Sequence, residues 1–332
     1  MTEPAVGIHN HPVLKLGART GSLASNTPVL HARDFLTAVP AHPVADPIPG
    51  FTYPMDRNDQ AGDCVVASGD HALQIVGTLL TGAYVNWSDA QLLRAYQSQN
   101  PGFTSWTDAG GPNDQGMDVQ QFLSWMVKQG FILGFAKIDP TSEDEVKAAI
   151  WLFLAVITGQ DMQVAQQSGD VWDYVKGSAS WGGHATVWGG FPGSPDDIDT
   201  VSWGAVYEMT QAFVQHQVTE AYVIITQAHV DHAAFREGFD LVKFGEAFTQ
   251  LTGRAFPVVV PTPPVPTPVP VPVPPQPNPE PVDVDTQLAD AAKVWLKHRW
   301  HTHAQTEGLR GALTDWLDVH YPSNGNGGRH SA

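Results

Sequence analysis

Cys64 is the only cysteine of this 332-residue chain. A lone thiol forms neither an internal disulfide nor a multi-cysteine metal site, so a reactive role there depends on the thiolate. It follows the loop 58–63, Asn-Asp-Gln-Ala-Gly-Asp, and precedes an apolar helical pattern that starts at Val65. Free N–H groups and the dipole at a helix N-terminus favour S⁻ over SH. The position is typical of a nucleophile, while the alternative is a small buried hydrophobic residue.

His184 is the best candidate base among the 14 histidines. A cysteine nucleophile needs a proton acceptor within reach, and imidazole titrates near neutrality. Gly182 and Gly183 precede it and leave room for a substrate backbone, and a strand-like run follows it. A turn at Pro192–Asp196 predicts a hairpin that brings Ser202 and Trp203 near His184. A hydrogen-bonding group there would orient the imidazole, and the indole would shield it from water.

Other polar residues have structural interpretations. Asp63 would oppose thiolate formation, but an acid before a helix is commonly a cap. His298, His301 and His303, with Glu307 nearby, match no established metal-ligand spacing and are interpreted as solvated side chains. The short acidic runs lack calcium-loop spacing. We therefore expect no metal and no cofactor.

Charge and hydropathy restrict the partners. A formal net charge of −17 disfavours nucleic acid and anionic membrane surfaces. No run approaches the ~18 to 20 apolar residues that span a bilayer, and the N-terminus lacks the basic and apolar regions of a signal peptide. The sequence thus predicts no membrane span, no signal peptide and synthesis in a cytoplasm, and the single cysteine agrees with a reducing compartment.

Composition predicts five segments. The expected spacer is extended, because proline fixes φ and removes the N–H donor. The helical segment after it has apolar residues at helical spacing, so we expect it to dock on a larger assembly or to self-associate. The segments are an N-terminal arm (1–45), a mixed domain (46–254), a Pro-rich linker (255–283), a C-terminal helical segment (284–322) and a disordered tail (323–332).

Within the mixed domain, helical periods come first and strand patterns afterwards. Helices are predicted over 61–80, 117–128 and 142–152, and strands over 153–158, 184–191, 198–203 and 221–226. A helical turn is predicted near residues 31–36. Helices followed by an antiparallel sheet indicate an α+β domain.

The order of these motifs resembles that of the papain-like cysteine peptidases, including the branch that trims bacteriocin leader peptides. The resemblance covers residues 50 to 225. With Lys15-Leu16-Gly17 added, most of residues 10 to 250 resemble papain-fold proteins of bacteria and their phages. The motifs are the loop and helix around Cys64, Gly110-Gly111, Gly116-Met117-Asp118-Val119 before a helix, Gly183-His184-Ala185, and Ser202-Trp203-Gly204.

The resemblance implies a papain-like fold with Cys64 as nucleophile and His184 as base. The oxyanion would be held by the Cys64 backbone N–H and one side-chain amide. The family's glutamine lies six positions before the cysteine, where this chain has Asn58. Gln60 lies two residues nearer, and either amide is a candidate.

The third member of the site departs from the family pattern. The position of the orienting Asn or Asp is Val201, whose side chain cannot hydrogen-bond. Ser202, Thr200 or Asp199 would substitute through a shifted register or a bulge.

Two functions follow from these expectations. The first is a phage or bacterial cysteine peptidase or amidase that cuts a peptide, such as the peptide part of a cell wall, through an acyl-enzyme. The alternative is a catalytically silent papain-like module that serves as a virion or surface component. Transglutaminase-like acyl transfer would use the same dyad. The first two functions differ in whether Cys64 and His184 approach to within about 4 Å in a shared cleft with an amide nearby, whereas a buried, separated pair indicates the silent module.

Overall fold

One seven-stranded sheet organises the part of the chain that the computed structural model describes, residues 14–20, 28–41, 43, 48, 50, 52–190 and 197–257. The strand order is β1-β7-β2-β4-β5-β6-β3, and neighbours are antiparallel except β3 and β6. The strands are β1 (Gly134–Ile138), β2 (Val156–Gln163), β3 (Val171–Trp172), β4 (Ser180–Gly190), β5 (Ile198–Ser202), β6 (Ala205–Met209) and β7 (Val218–Ile225).

Three helices precede the sheet along the chain, and one more lies between its first two strands. Short helices follow the later strands. The helices are α1 (Cys64–Thr81), α2 (Asp89–Gln97), α3 (Val119–Gln129), α4 (Glu143–Phe153), α5 (Gln211–Gln217), α6 (Gln227–Asp231), α7 (Ala233–Gly238) and α8 (Leu241–Thr252).

Local chemistry fixes the helix ends. The Asp118 side chain accepts from the N–H of Gln121 and caps α3, and Ser142 caps α4 in the same way. Helix α1 ends at Gly82, whose φ of +70° is the left-handed conformation that glycine adopts readily.

Two apolar cores cover the two faces of the sheet. Helices α1, α2 and α3 pack on one face against residues such as Val187, Val201 and Tyr222. Helices α4, α7 and α8 pack on the other, with Trp172 and Trp188 among the largest buried side chains. Gly189 of β4 lets α1 lie close to the sheet, because a Cβ at this position would lie 3.1 Å from Ile75 Cδ1.

The predicted α+β fold, with the cysteine helix packed on an antiparallel sheet that carries His184, is confirmed. Helix starts differ from the predictions by one to three residues, and a 3-10 turn at Ala32–Asp34 matches the turn predicted in the arm. The strand predicted from residue 153 begins only at Val156, because Phe153 ends α4 and Leu154 adopts a φ of +65°. The hairpin turn at 192–196 and everything from residue 258 onward, including most of the linker, lie outside the described residues.

The N-terminal arm is part of the folded domain. Ala32 and Phe35 are buried in the sheet core, and the N–H of Lys137 in β1 donates to Leu30 O over 2.7 Å. Among the described residues, no helix is both long and apolar enough to cross a membrane.

Candidate active site

Cys64 is the first residue of α1, where the helix meets β4. It is 1% exposed, and its sulfur faces the backbone N–H groups of Ala185, Gly17 and Ala18. Burial outweighs these three donors and raises the pKa of the thiol to about 12. The expected thiolate is therefore not the form present in this structure; the helix N-terminus is in place, but water is excluded.

His184 lies on β4, directly before the residue whose N–H faces the Cys64 sulfur. Its Nε2 is 2.6 Å from Ser202 Oγ. Its Nδ1 is buried and makes no hydrogen bond to the described residues. The imidazole is fully buried, which lowers its pKa to about 3. Cysteine and histidine are thus both neutral at pH 7 in this structure.

Trp203 covers the imidazole. The two rings are stacked with centroids 4.2 Å apart and 17° between their planes. Trp203 and Gly204 have φ values of +45° and +74° and form a two-residue turn between β5 and β6. A tight hairpin of this type requires positive φ at both positions, and it places the indole beside His184.

The orienting position is occupied by Ser202. Val201 pairs with Val187 of β4 and is buried in the apolar core, so it contributes packing. Ser202 is the next residue, and its hydroxyl reaches the imidazole. Thr200 donates instead to Thr186 Oγ1 over 2.8 Å.

The two candidate amides are placed differently. Asn58 is 1% exposed, and its Nδ2 lies 3.3 Å from the carbonyl oxygen of Lys15. Trp203 Nε1 donates to the same oxygen over 3.1 Å. Gln60 is exposed to solvent. The geometry therefore brings Asn58, six positions before Cys64, to the same peptide carbonyl as Trp203, whose ring stacks on His184.

The peptide that supplies this carbonyl is the arm itself. Residues 14–20, which we call the leader strand, run across the cleft between α1 and β4. The N–H groups of Gly17 and Ala18 both donate to Gly183 O over 3.1 Å. Met117 N–H donates to Gly17 O over 2.7 Å, and Arg19 N–H to Met117 O over 2.8 Å, which makes a parallel bridge. The sequence indicated an N-terminal arm, but not that part of it enters the cleft.

The leader strand is surrounded by three wall glycines, which are Gly62, Gly116 and Gly183. A Cβ at Gly17 would lie 1.8 Å from Gly62 O. A Cβ at Gly116 would lie 2.0 Å from Gly17 O, and one at Gly183 would lie 2.0 Å from Ala18 O. Backbone meets backbone on three sides, so the leader strand closes the cleft above Cys64.

Asp63 lies at the helix start, as predicted, and occupies the N-cap position of α1, but its side chain makes no capping hydrogen bond. Burial raises the pKa of Asp63 well above its usual range, so the acid beside the thiol is shifted toward its neutral form. Nearby, His71 Nε2 lies 3.3 Å from Asp56 Oδ2. Within the described ranges, no group of three or more His, Cys, Asp or Glu side chains is arranged to hold a metal ion.

Solved structures of similar shape are cysteine proteases. Xylellain from Xylella fastidiosa is 14% identical, with a TM-score of 0.47 over 64% of this chain and 99% of that chain. Procathepsin B S9 from Trypanosoma congolense is 11% identical, with a TM-score of 0.40 over 64% and 86%. Bromelain from Ananas comosus is 9% identical, with a TM-score of 0.37 over 56% and 95%. No protein-family model and no curated protein matches the chain. These values describe similarity of general shape alone.

Asp114 is a site residue that sequence reasoning missed. Its Oδ1 accepts from Gly62 N–H over 2.9 Å and from Tyr96 OH over 2.5 Å. Tyr96 Oη in turn accepts from Gly116 N–H over 3.1 Å. Asp114 therefore links two walls of the cleft, and no local pattern around an isolated Asp in a glycine-rich loop indicates this.

Proposed function

We propose that this protein is a cysteine peptidase or amidase whose site is closed by its own leader strand. The observation that carries the proposal is the hydrogen bonding of the two ring nitrogens of His184. Its Nε2 lies 2.6 Å from Ser202 Oγ, its Nδ1 makes no hydrogen bond to the described residues, and the N–H of the next residue on β4 faces the Cys64 sulfur. An imidazole nitrogen that is free to accept a proton, one residue from the strand position that faces a thiol at a helix start, supports a Cys–His pair.

The chemistry is acyl transfer. Once the leader strand leaves and water enters, His184 Nδ1 takes the thiol proton, and Cys64 S⁻ attacks the substrate carbonyl carbon. The C–N bond breaks, and the imidazolium gives its proton to the leaving amine. Water then hydrolyses the thioester, which releases the acid and restores the thiol. Asn58 Nδ2 and the Cys64 N–H stabilise the oxyanion.

Peptides are the proposed substrates, and the peptide stems of bacterial cell walls are the class to examine first. A virion or surface attachment role for the C-terminal segments is compatible with this activity. Hydrolysis of a fluorogenic peptide library and of purified peptidoglycan by the Gly17→Ala variant, in which the leader strand is displaced, tests the proposal. Cys64→Ser in the same background is the control that should abolish turnover.

A catalytically silent module is the competing function, and the buried neutral pair seen here favours it for the closed state. The two functions differ once the leader strand is displaced. A peptidase then shows a Cys64 whose reactivity depends on His184, whereas a silent module shows a cysteine with ordinary thiol reactivity.

A further inference from the structure

The cleft walls are held in place by buried hydrogen bonds. The side chains of the leader strand therefore indicate how much space the cleft leaves at each position. Asp114 connects the Gly62 wall to Tyr96, and Tyr96 holds the Gly116 wall. Asn100 Nδ2 also donates to Gly116 O over 3.0 Å. Widening this cleft to admit a larger side chain would cost free energy, because buried hydrogen bonds would have to break.

The cleft surrounds the side chains of three successive leader-strand residues in different ways. Gly17 is enclosed by backbone on both sides and has no space for a Cβ. Ala18 is 8% exposed and packs in the α1 core, so its position takes a small side chain. Arg19 Nη2 donates to Gln99 Oε1 over 2.5 Å.

Gln99 is itself fixed. Its Nε2 donates to Asp118 O, and its Oε1 accepts from Asp118 N–H, each over 2.9 Å. An amide held at both ends by the backbone presents its oxygen in a set direction. The chain's net charge of −17 adds a general attraction for a cationic side chain.

We propose that this cleft is a sequence-selective peptide site that takes glycine above the Cys64 sulfur, a small residue next and arginine third. The inference deepens the proposed function by naming the peptide class that the site selects. The order Gly-small-Arg occurs once more in the sequence, at Gly327-Gly328-Arg329, which gives a second natural peptide to examine.

The test measures binding rather than turnover. The full chain carries Cys64→Ala, to prevent hydrolysis, and Gly17→Ala, to displace the leader strand; Ala18→Leu replaces Gly17→Ala as a second displaced variant. Calorimetry then compares acetyl-Lys-Leu-Gly-Ala-Arg-Thr-amide with the same peptide carrying alanine for glycine, with its reversed sequence, and with acetyl-Asn-Gly-Gly-Arg-His-amide.

We expect both Gly-small-Arg peptides to bind at least about tenfold more tightly than the alanine-substituted peptide. Replacing the peptide arginine by alanine should weaken binding, and this difference should disappear in Gln99→Ala but persist in the control Gln129→Ala, which changes an exposed residue of α3. Equal binding of the glycine and alanine peptides, or no binding to either displaced variant, overturns the selectivity. Neither result contradicts the peptidase proposal, because that proposal is tested by Cys64 reactivity and hydrolysis.

Discussion

Trp203 contacts both His184 and the leader strand: its ring stacks on the imidazole at 4.2 Å, and its Nε1 donates to Lys15 O over 3.1 Å. One side chain thus shields the candidate base and binds the segment that closes the cleft. Removal of the leader strand would leave the stacked pair in place, free Trp203 Nε1 and remove one of the two acceptors of Asn58 Nδ2, which also donates to Ala61 O over 3.3 Å. The stacked arrangement of His184 and Trp203 is therefore already formed while the leader strand is bound.

Gly17→Ala should open the cleft. Its Cβ would lie 1.8 Å from Gly62 O, and overpacking of this kind costs about 1–3 kcal/mol. If the docked leader strand is destabilised by that amount, Cys64 alkylation by iodoacetamide should accelerate by about 5- to 150-fold. Intact mass over time measures the rate. The matched control is Gly50→Ala, where a Cβ meets nothing within 4 Å; equal acceleration in both variants would contradict the closure.

Gly17→Ala should also change the pH dependence of Cys64 alkylation. In the wild type, the Cys64 pKa of about 12 means that the thiolate fraction, and hence the rate, keeps rising with pH through the alkaline range. In Gly17→Ala, water and His184 stabilise S⁻, so the rate should reach a plateau at a lower pH. Alkylation rates from pH 5 to 10 in both proteins check this. Superimposable profiles would show that burial under the leader strand does not set the thiol pKa.

Trp203→Phe should loosen the leader strand while retaining an aromatic ring over His184. The change removes the Nε1 donor to Lys15 O, and one hydrogen bond contributes about 0.5–1.5 kcal/mol. Alkylation of Cys64 should rise by a factor of roughly 2 to 12, less than in Gly17→Ala. A rate unchanged from the wild type would mean that this bond does not help to hold the segment.

Ser202→Ala should lower turnover in the Gly17→Ala background. It leaves the buried Nε2 of His184 without its partner, at a cost of about 1–3 kcal/mol. We expect kcat to fall while KM changes little, since Ser202 orients the base through Nε2. Ser202→Thr, which keeps the hydroxyl, should retain more activity than Ser202→Ala; identical losses in the two variants would argue against an orienting hydroxyl.

Acid should destabilise the closed protein through its buried histidines. The folded-state pKa is about 3 for His184 and about 4 for His229, below the usual value near 6.5. At these two sites the unfolded chain binds more protons between about pH 6.5 and 3, so their contribution to stability is lost as pH falls through that window. Asp63 and Asp70 act in the opposite direction, because burial raises their pKa values and the folded chain then binds more protons above pH 3.8. Denaturation midpoints for Asp63→Asn should show a steeper loss toward acid than those for the wild type.

Much of the fold could be predicted from the sequence because its patterns are local. The apolar period of α1, the caps at Asp118 and Ser142, and the β-branched runs of β4, β5 and β7 indicate structure within a few residues of its observed place. Strand β3 is not predicted because it spans only Val171–Trp172. Strands β1 and β6 are as long as β5, but they contain Gly, Ala, Lys or Glu, which are depleted in strands. The pairing of His184 with Ser202 followed from the hairpin.

The closed state of the site could not be predicted in the same way. Helix position alone favours a thiolate at Cys64, but burial by a segment 47 residues earlier in the chain reverses the shift. The contacts of Gly17 with Gly62, Gly116 and Gly183 join four distant parts of the sequence. No local pattern identifies which glycines in a chain with 31 will meet.

We propose that Cys64 and His184 form a reactive pair under the leader strand. The rate of Cys64 alkylation at pH 7, compared between Gly17→Ala and Gly17→Ala with His184→Ala, tests this pair. We expect loss of the imidazole to slow alkylation by at least about tenfold, toward an ordinary thiol of pKa near 8.5. Equal rates in the two proteins would contradict it, because the thiol would then react without help from His184.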